Sequence, residues 1–338
     1  MPATQRSVTA ELMGQLNAVR LSQAIHVAAT LRIADLVADG PRSSDDLAQA
    51  TATHAPSLYR LLRALSAEGI FQELADRRFT LTPKAELLRS DVPGSLHGWA
   101  EFMGRPSVWQ GWGNLLYSVK TGKSGVEYAV GMNVWAFRSQ YPEEGGYFDR
   151  AMTSLTSSLS PAVVAAYDWG QFGAIADIAG GHGAQLADIL KRYTNTRGIL
   201  FDQPHVVAGA ASVLENAGVS ERCEVVAGSF FEHVPKAEAY ILKHILHDWS
   251  DEDSVRILQT IRRSAPEAAH LLVIEQLIEE PNAGALAKSM DLQMLVGPGG
   301  VERTREEFEA LFRAGGWRLA DAHPAMTHKI FEGIVSAS

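Results

Sequence analysis

The chain of 338 residues is 46% hydrophobic and 20% charged, a balance that excludes a disordered protein and leaves room for roughly two domains. A single cysteine, Cys223, excludes an internal disulfide and fits a reducing compartment. Residues 1–100 carry ten basic and ten acidic side chains, so the net charge of −9 falls on the remainder, opposite to the bias that a phosphate-rich partner selects.

The opening MPATQRSVTAELMGQ lacks the basic-then-apolar pattern of a signal peptide, and nowhere do about 18 apolar residues run together, so a cytoplasmic protein away from the membrane is expected. In AIHVAATLRIADLVADG the apolar positions Ile25, Ala28, Ala29, Leu31 and Leu36 predict a helix closed by Gly40 and Pro41. SSDDLAQAT opens the next helix on serine caps, and HAPSLYRLLRALSAEGIF lines up Leu58, Leu61, Leu62 and Leu65 before Gly69. In FQELADRRFTLTPKAELLRS a polar turn around Asp76 to Arg78 separates two strand-like pieces ahead of another helix, the pattern of a winged helix. Such arms bind DNA in many regulators and pair subunits in some enzymes. Only Arg60 and Arg63 supply cations on the second helix, so packing is favoured and no nucleic-acid partner is expected. This arm, residues 1–92, is read as the first domain, and residues 93–338 as a helical linker with a second, larger domain.

Ten aromatics lie between Trp99 and Tyr147, most of them expected to pack helices together. With Phe148 and Met152 close behind, some could line a flat apolar pocket. Five apolar strands follow in AIADIAGG, GILFDQPHV, CEVVAGSFF, AYILKHIL and LLVIEQLI, separated by helical stretches, so an α/β fold with a doubly wound, Rossmann-like sheet is predicted. WRLADAH and HKIFEGIVSA should finish that sheet as an antiparallel hairpin edge.

Ligands of such sheets bind at the carboxyl ends of the strands. Those ends carry Asp177 with Ala179-Gly180-Gly181-His182-Gly183, then Asp202, Ser229-Phe230, Lys243 to Asp248, and Glu275. Glycines after the first strand let a ligand approach the backbone, and Asp202 is placed to accept both hydroxyls of a ribose. The G-x-G-x-x-G fingerprint of nicotinamide dinucleotides fails at Leu186, passing only in a shifted frame that starts on Ala179, and no P-loop is present. The acidic balance suits a ligand without phosphates, such as a sulfonium nucleoside. His244, His247 and Asp248 could offer ligands to zinc, with His233 near in sequence, but no second ligand cluster stands at a typical spacing. Strand alternation would also send His244 and His247 to opposite faces, so no metal is expected. Cys223 in CEVVAG reads as a small core residue.

In order, a winged-helix arm, DIAGGHGA, FDQPHV, AGSFF, LKHILHDWSD and GGVERTREEFEALFRAGGW make the chain resemble class I S-adenosylmethionine-dependent small-molecule O-methyltransferases, the type of plant caffeate and flavonoid enzymes and of bacterial antibiotic-tailoring enzymes. The resemblance runs nearly end to end. It implies a homodimer built on the amino-terminal arm, S-adenosylmethionine as cofactor with S-adenosylhomocysteine as product, and an aromatic or quinone-like acceptor. On the cofactor side it implies Asp177, Ala179, Gly180, Gly181, Asp202, Gln203, Ser229, Phe230, Lys243 and Trp249. His247 matches the general base, flanked by acids matching Glu275 and Glu302. Met152, Met290 and Met294 match the acceptor-side face of those enzymes, and Phe148, His244, Asp248 and Asp291 are expected to join them: Asp291, the odd polar residue in the apolar run ALAKSMDLQMLVG, to bond an acceptor hydroxyl, although a histidine such as His244 at a strand end is commonly just a capped residue, and Asp248 could instead anchor its loop. Two positions depart from the pattern: Ala179 replaces a usual glycine, and Ser229 a usual acid. His182 within the glycine loop is unusual. The competing readings are a cofactor-binding regulator that uses the arm on DNA, a nicotinamide oxidoreductase, and an N-methyltransferase on a heteroaromatic acceptor.

Overall fold

The computed structural model describes residues 7–335. The first six residues of the stretch examined for a signal, and the last three of the chain, lie outside the described residues. Two compact units emerge, Met1–Trp109 with Arg150–Leu155, and Gln110–Asp149 with Thr156–Ser338.

In the first unit a helix already starts at Val8, capped by Ser7, and runs to Thr30. The predicted single helix up to Gly40 is broken at Arg32. That residue takes a left-handed conformation with φ +54°, its guanidinium held by Asp35 and Ser90 at 2.8 Å each, and a short turn Ile33–Leu36 follows. Ser43 caps the helix Ser44–Ala50, and Leu58, Leu62 and Leu65 bury one face of Ala55–Ala67. Strands β1 (Arg42–Ser43), β2 (Phe71–Glu73) and β3 (Arg78–Leu81) form an antiparallel sheet in the order β1-β3-β2, and Asp76 and Arg77 turn the chain between β2 and β3 at positive φ. Ile33, Leu47, Phe71 and Phe79 complete this core.

The second unit is built on seven strands: β4 (Ala174–Ile178), β5 (Arg197–Asp202), β6 (Cys223–Ala227), β7 (Ala239–Lys243), β8 (His270–Glu275), β9 (Trp317–Ala325) and β10 (His328–Val335). Their order is β6-β5-β4-β7-β8-β10-β9, with the first five parallel and β10 antiparallel to both its neighbours. The hairpin is therefore where the sequence places it. Parallel strands covered on both faces read as continuous apolar runs, and β7 shows why. Its Tyr240 and Leu242 enter a core with Phe201, Ile257, Phe308 and Trp317, while Ala239 and Ile241 enter the opposite one with Trp169, Leu186 and Ile189. The strand order reverses on either side of β4, which opens a crevice at the carboxyl ends of β4 and β7. No helix among the described residues is long and apolar enough to cross a membrane.

The aromatic stretch is less buried than expected. Trp109, Tyr128 and Tyr141 are exposed, whereas Phe102 is buried and Trp112 donates from Nε1 to Gln293 Oε1 at 2.8 Å.

Candidate active site

Beyond β4 the chain alternates handedness, with Ala179, Gly181 and Gly183 all at positive φ (+55°, +61° and +81°), before the helix Ala184–Arg192. The turn aims the Gly181 N–H at Asp202, whose Oδ2 accepts it at 2.9 Å, while Oδ1 accepts the Gln203 N–H at 2.6 Å. A Cβ on Gly181 would meet nothing within 4 Å, so the loop's outer face is open. One on Gly180 would lie 2.6 Å from Asp177 and Leu200. Asp177 is buried with Oδ2 lacking a hydrogen-bond partner. Burial raises its pKa to about 7, against the opposing pull of Lys243. One strand over, Lys243 donates from Nζ to Thr156 Oγ1 at 2.8 Å, its pKa lowered by burial and supported by Asp177 and Glu275.

Ser229 uses its Oγ to accept the Phe231 N–H at 3.3 Å, a local turn bond. Phe230 and Phe231 meet Trp249 edge-on at 5.9 and 4.9 Å between ring centres, and Trp135 stacks on Trp249 at 5.9 Å. The Arg138 guanidinium lies over the Phe148 ring at 3.4 Å. His182 stands 4.0 Å from Asp149, and a Cβ on Gly209 would lie 2.6 Å from the His182 ring, so this imidazole is packed on the loop after β5. Met152 belongs to the first unit.

At the end of β7 the strand stops at Lys243, so alternation does not carry on to the histidines. His244 turns the chain at φ +58°, and its ring stacks on that of His247 at 5.5 Å with 15° between planes. His244 Nε2 is 2.7 Å from His328 Nε2, a contact with no sequence signal.

His247 is buried, and its Nδ1 donates to Glu302 Oε1 at 2.8 Å. Glu275 Oε2 lies 3.3 Å from the same nitrogen, and Asp248 Oδ1 3.8 Å from Nε2. Burial alone would lower the imidazole pKa, but the carboxylates of Glu275, Asp248 and Glu302 outweigh it and raise it to about 10. Glu275 and Asp248 are raised in turn, chiefly by burial. Ligand atoms of His247, Glu275 and Glu302 fall within 4.8 Å of one another. Two ligands around one tetrahedral zinc stand about 3.3 Å apart, so the 2.8 Å separation is that of a hydrogen bond.

The loop is held by charges that the sequence does not advertise. Glu275 Oε1 accepts the Ile245 N–H at 3.0 Å. Arg303, fully buried, donates to the carbonyls of Leu246 (2.7 Å) and Trp249 (2.9 Å) and pairs with Asp251. Asp291 Oδ1 accepts the Glu302 N–H at 2.9 Å, so that oxygen supports the acid instead of facing an acceptor hydroxyl. Met294 is buried and Met290 partly so, both on the helix Ala285–Val296.

The family model for the O-methyltransferase domain matches residues 112–318, and the model for the O-methyltransferase dimerisation domain matches residues 13–91. The chain belongs to the O-methyltransferase family. Phenazine O-methyltransferase PhzM of Lysobacter antibioticus is 39% identical over 314 residues, covering 93% of this chain and 92% of that one. The solved structure of LaPhzM matches with a TM-score of 0.94 at 38% identity, over 97% of this chain and 99% of that one. NcsB1 from neocarzinostatin biosynthesis, solved with S-adenosylmethionine and 2-hydroxy-5-methyl naphthoic acid, matches with a TM-score of 0.79 at 32% identity, over 94% and 96% of the two chains. In this site the Nδ1 of His247 is committed to two buried acids, while its Nε2 has Asp248 Oδ1 at 3.8 Å.

Proposed function

We propose that this protein transfers a methyl group from S-adenosylmethionine to a phenolic, enolic or hydroxyquinone oxygen of an aromatic natural product, with His247 as general base. The observation that carries this reading is His247 at the end of β7, fixed through Nδ1 by Glu302 and Glu275 beside the glycine turn of β4. The residues suit the donor: Asp202 stands where a ribose would be held, the open face above Gly181 admits a ligand against the backbone, and Phe230 with Trp249 offers apolar edges to an adenine. Lys243, Gln203 and Ser229 stand at the same strand ends. Bound S-adenosylmethionine supplies an electrophilic methyl carbon. The protein's own work is to position the acceptor oxygen and take its proton as the O–C bond forms. A phenol has a pKa of about 10, so an imidazole raised to about 10 by its acids accepts that proton without an uphill transfer. Nδ1–H remains on Glu302 throughout, which fixes the ring and stabilises the imidazolium.

The amino-terminal helix leaves Val8, Leu12, Leu16 and Val19 exposed at spacings of four, four and three, a stripe suited to a second copy of the chain. A homodimer follows, and Leu12→Glu with Leu16→Glu should yield monomers in light scattering.

The experiment that tests the function incubates the enzyme with S-adenosylmethionine and hydroxylated phenazines and naphthoates, 2-hydroxy-5-methyl naphthoic acid among them, and looks for a mass gain of one methylene. His247→Ala should abolish the product while S-adenosylhomocysteine still binds. At a hundred times its dissociation constant that ligand adds about 2.7 kcal/mol of stability, and NAD adds none. Stabilisation by NAD alone would overturn the reading.

A further inference from the structure

Resting on the assignment of His247 as base, we propose that His244 and His328 form a neutral two-ring buttress that holds the His247 imidazole in the plane required by Glu302. Two Nε2 atoms 2.7 Å apart share one proton, so one ring donates and the other accepts; the accepting ring must be neutral for the bond to exist, and burial beside the Lys243 ammonium disfavours charge on the donating one. His328 Nδ1 lies 3.0 Å from Thr327 Oγ1, which ties the outer ring to the start of β10. The inner ring stacks flat on His247, with 15° between planes. The surroundings favour neutrality: burial, the Lys243 ammonium and His247 itself all disfavour charge on either ring, and His328 is lowered to about 4. The backbone adds an independent sign. His244 occupies the left-handed region at φ +58°, a conformation that strains a residue with a Cβ and is kept where the surroundings demand it. Glu302 and Glu275 hold one edge of the His247 ring at Nδ1, but contacts at a single ring atom leave the plane free to tilt about it. A second ring on its face removes that freedom, which makes His244 and His328 positioning residues that act through His247.

The test is long-range proton–nitrogen NMR on histidine-labelled enzyme saturated with S-adenosylhomocysteine. At neutral pH, His244 and His328 should each show a single neutral tautomer. In His328→Phe the His244 tautomer should become mixed and the His247 nitrogens should shift, and His328→Gln, which keeps a hydrogen-bonding amide, should restore them. Turnover of 2-hydroxy-5-methyl naphthoic acid should fall between about tenfold and a hundredfold in His328→Phe, with the donor KM unchanged. An imidazolium at His244 or His328, or His247 signals unchanged in His328→Phe, overturns the buttress. Methyl transfer that survives in His247→Ala overturns the base assignment instead, so the two failures are distinct.

Discussion

Replacing Glu302 by Gln keeps the side-chain volume and an oxygen for His247 Nδ1, and removes one negative charge 2.8 Å from the ring. Hydrogen bonds to charged groups contribute about 1.5–3 kcal/mol against about 1 kcal/mol for neutral ones, so the imidazolium loses roughly 0.5–2 kcal/mol. At 1.36 kcal/mol per unit, the His247 pKa should fall by about 0.4–1.5 units from its raised value near 10. The effect on stability has a definite sign. A histidine raised from about 6.5 in the unfolded chain contributes stability that is fully present below pH 6.5 and is lost as pH rises through about 10. Glu302→Gln should therefore be roughly 0.5–2 kcal/mol less stable at pH 7 in urea titrations, with the deficit gone above pH 10, where the ring is neutral in both proteins. On the plateau above pH 10, where the ring is neutral in both proteins, the same loss, felt as the imidazolium forms, slows methyl transfer by about two- to thirtyfold. A His247 titration unchanged in the variant, or a deficit equal at pH 7 and pH 10.5, would refute the argument.

Gly300→Ala should be among the most damaging single changes. Its Cβ would lie 1.9 Å from the His247 carbonyl oxygen, which accepts the Val301 N–H at 2.8 Å, and backbone cannot yield as a side-chain tip can. A loss above about 3 kcal/mol in urea is expected, and a near-neutral result would mean that the loop is not packed as described. At Ala179, φ +55° costs an L-residue roughly 1 kcal/mol, against about 0.4–1 kcal/mol of unfolded-state entropy gained by glycine. Ala179→Gly should thus leave the Tm unchanged or raise it slightly, whereas Ala179→Val lowers it, and equal melting of the two variants would contradict the left-handed turn. The proposed base His247 acts only when neutral, so kcat/KM for a phenolic acceptor should keep rising with pH beyond neutrality. A plateau reached by pH 7 would show that the three carboxylates do not raise His247.

Much of this was readable because it is periodic or local. Apolar runs locate all seven strands of the large sheet, and one rule about strand ends gathers Asp177, Asp202, Lys243, His247 and Glu275 from the sequence alone. The amino-terminal helix was mislaid for a physical reason: its exposed face is itself apolar, with Leu12 and Leu16, and its break depends on Arg32 reaching Asp35 and Ser90, contacts that periodicity does not encode. His328 and Arg303 escaped for another. Each is far along the chain from its partners and looks like any surface residue, and only folding brings His328 against His244 or buries Arg303 under Leu246 and Trp249. At Asp291 the sequence shows a polar residue on an apolar helix, but not that its Oδ1 accepts the Glu302 N–H at 2.9 Å.

Where the fold leaves polar groups unsatisfied says as much as where it satisfies them. Among the described residues, every buried carboxylate oxygen without a hydrogen-bond partner belongs to Asp177, Glu275 or Glu302. Such a group costs about 1–3 kcal/mol, and apolar replacements of similar volume would commonly be neutral or stabilising if stability were the only demand. The other oxygens of Glu275 and Glu302 are engaged, on the Ile245 N–H and on His247 Nδ1. Each of these two acids therefore positions the loop or the ring with one oxygen and leaves the other to contribute charge alone. Orientation and basicity are thus separable in this site: Arg303, Asp291 and the Oε1 atoms fix where His247 stands, and the summed charge of its acids sets how strongly it holds a proton. That division explains why an isosteric amide at Glu302 should preserve the loop and still weaken the base.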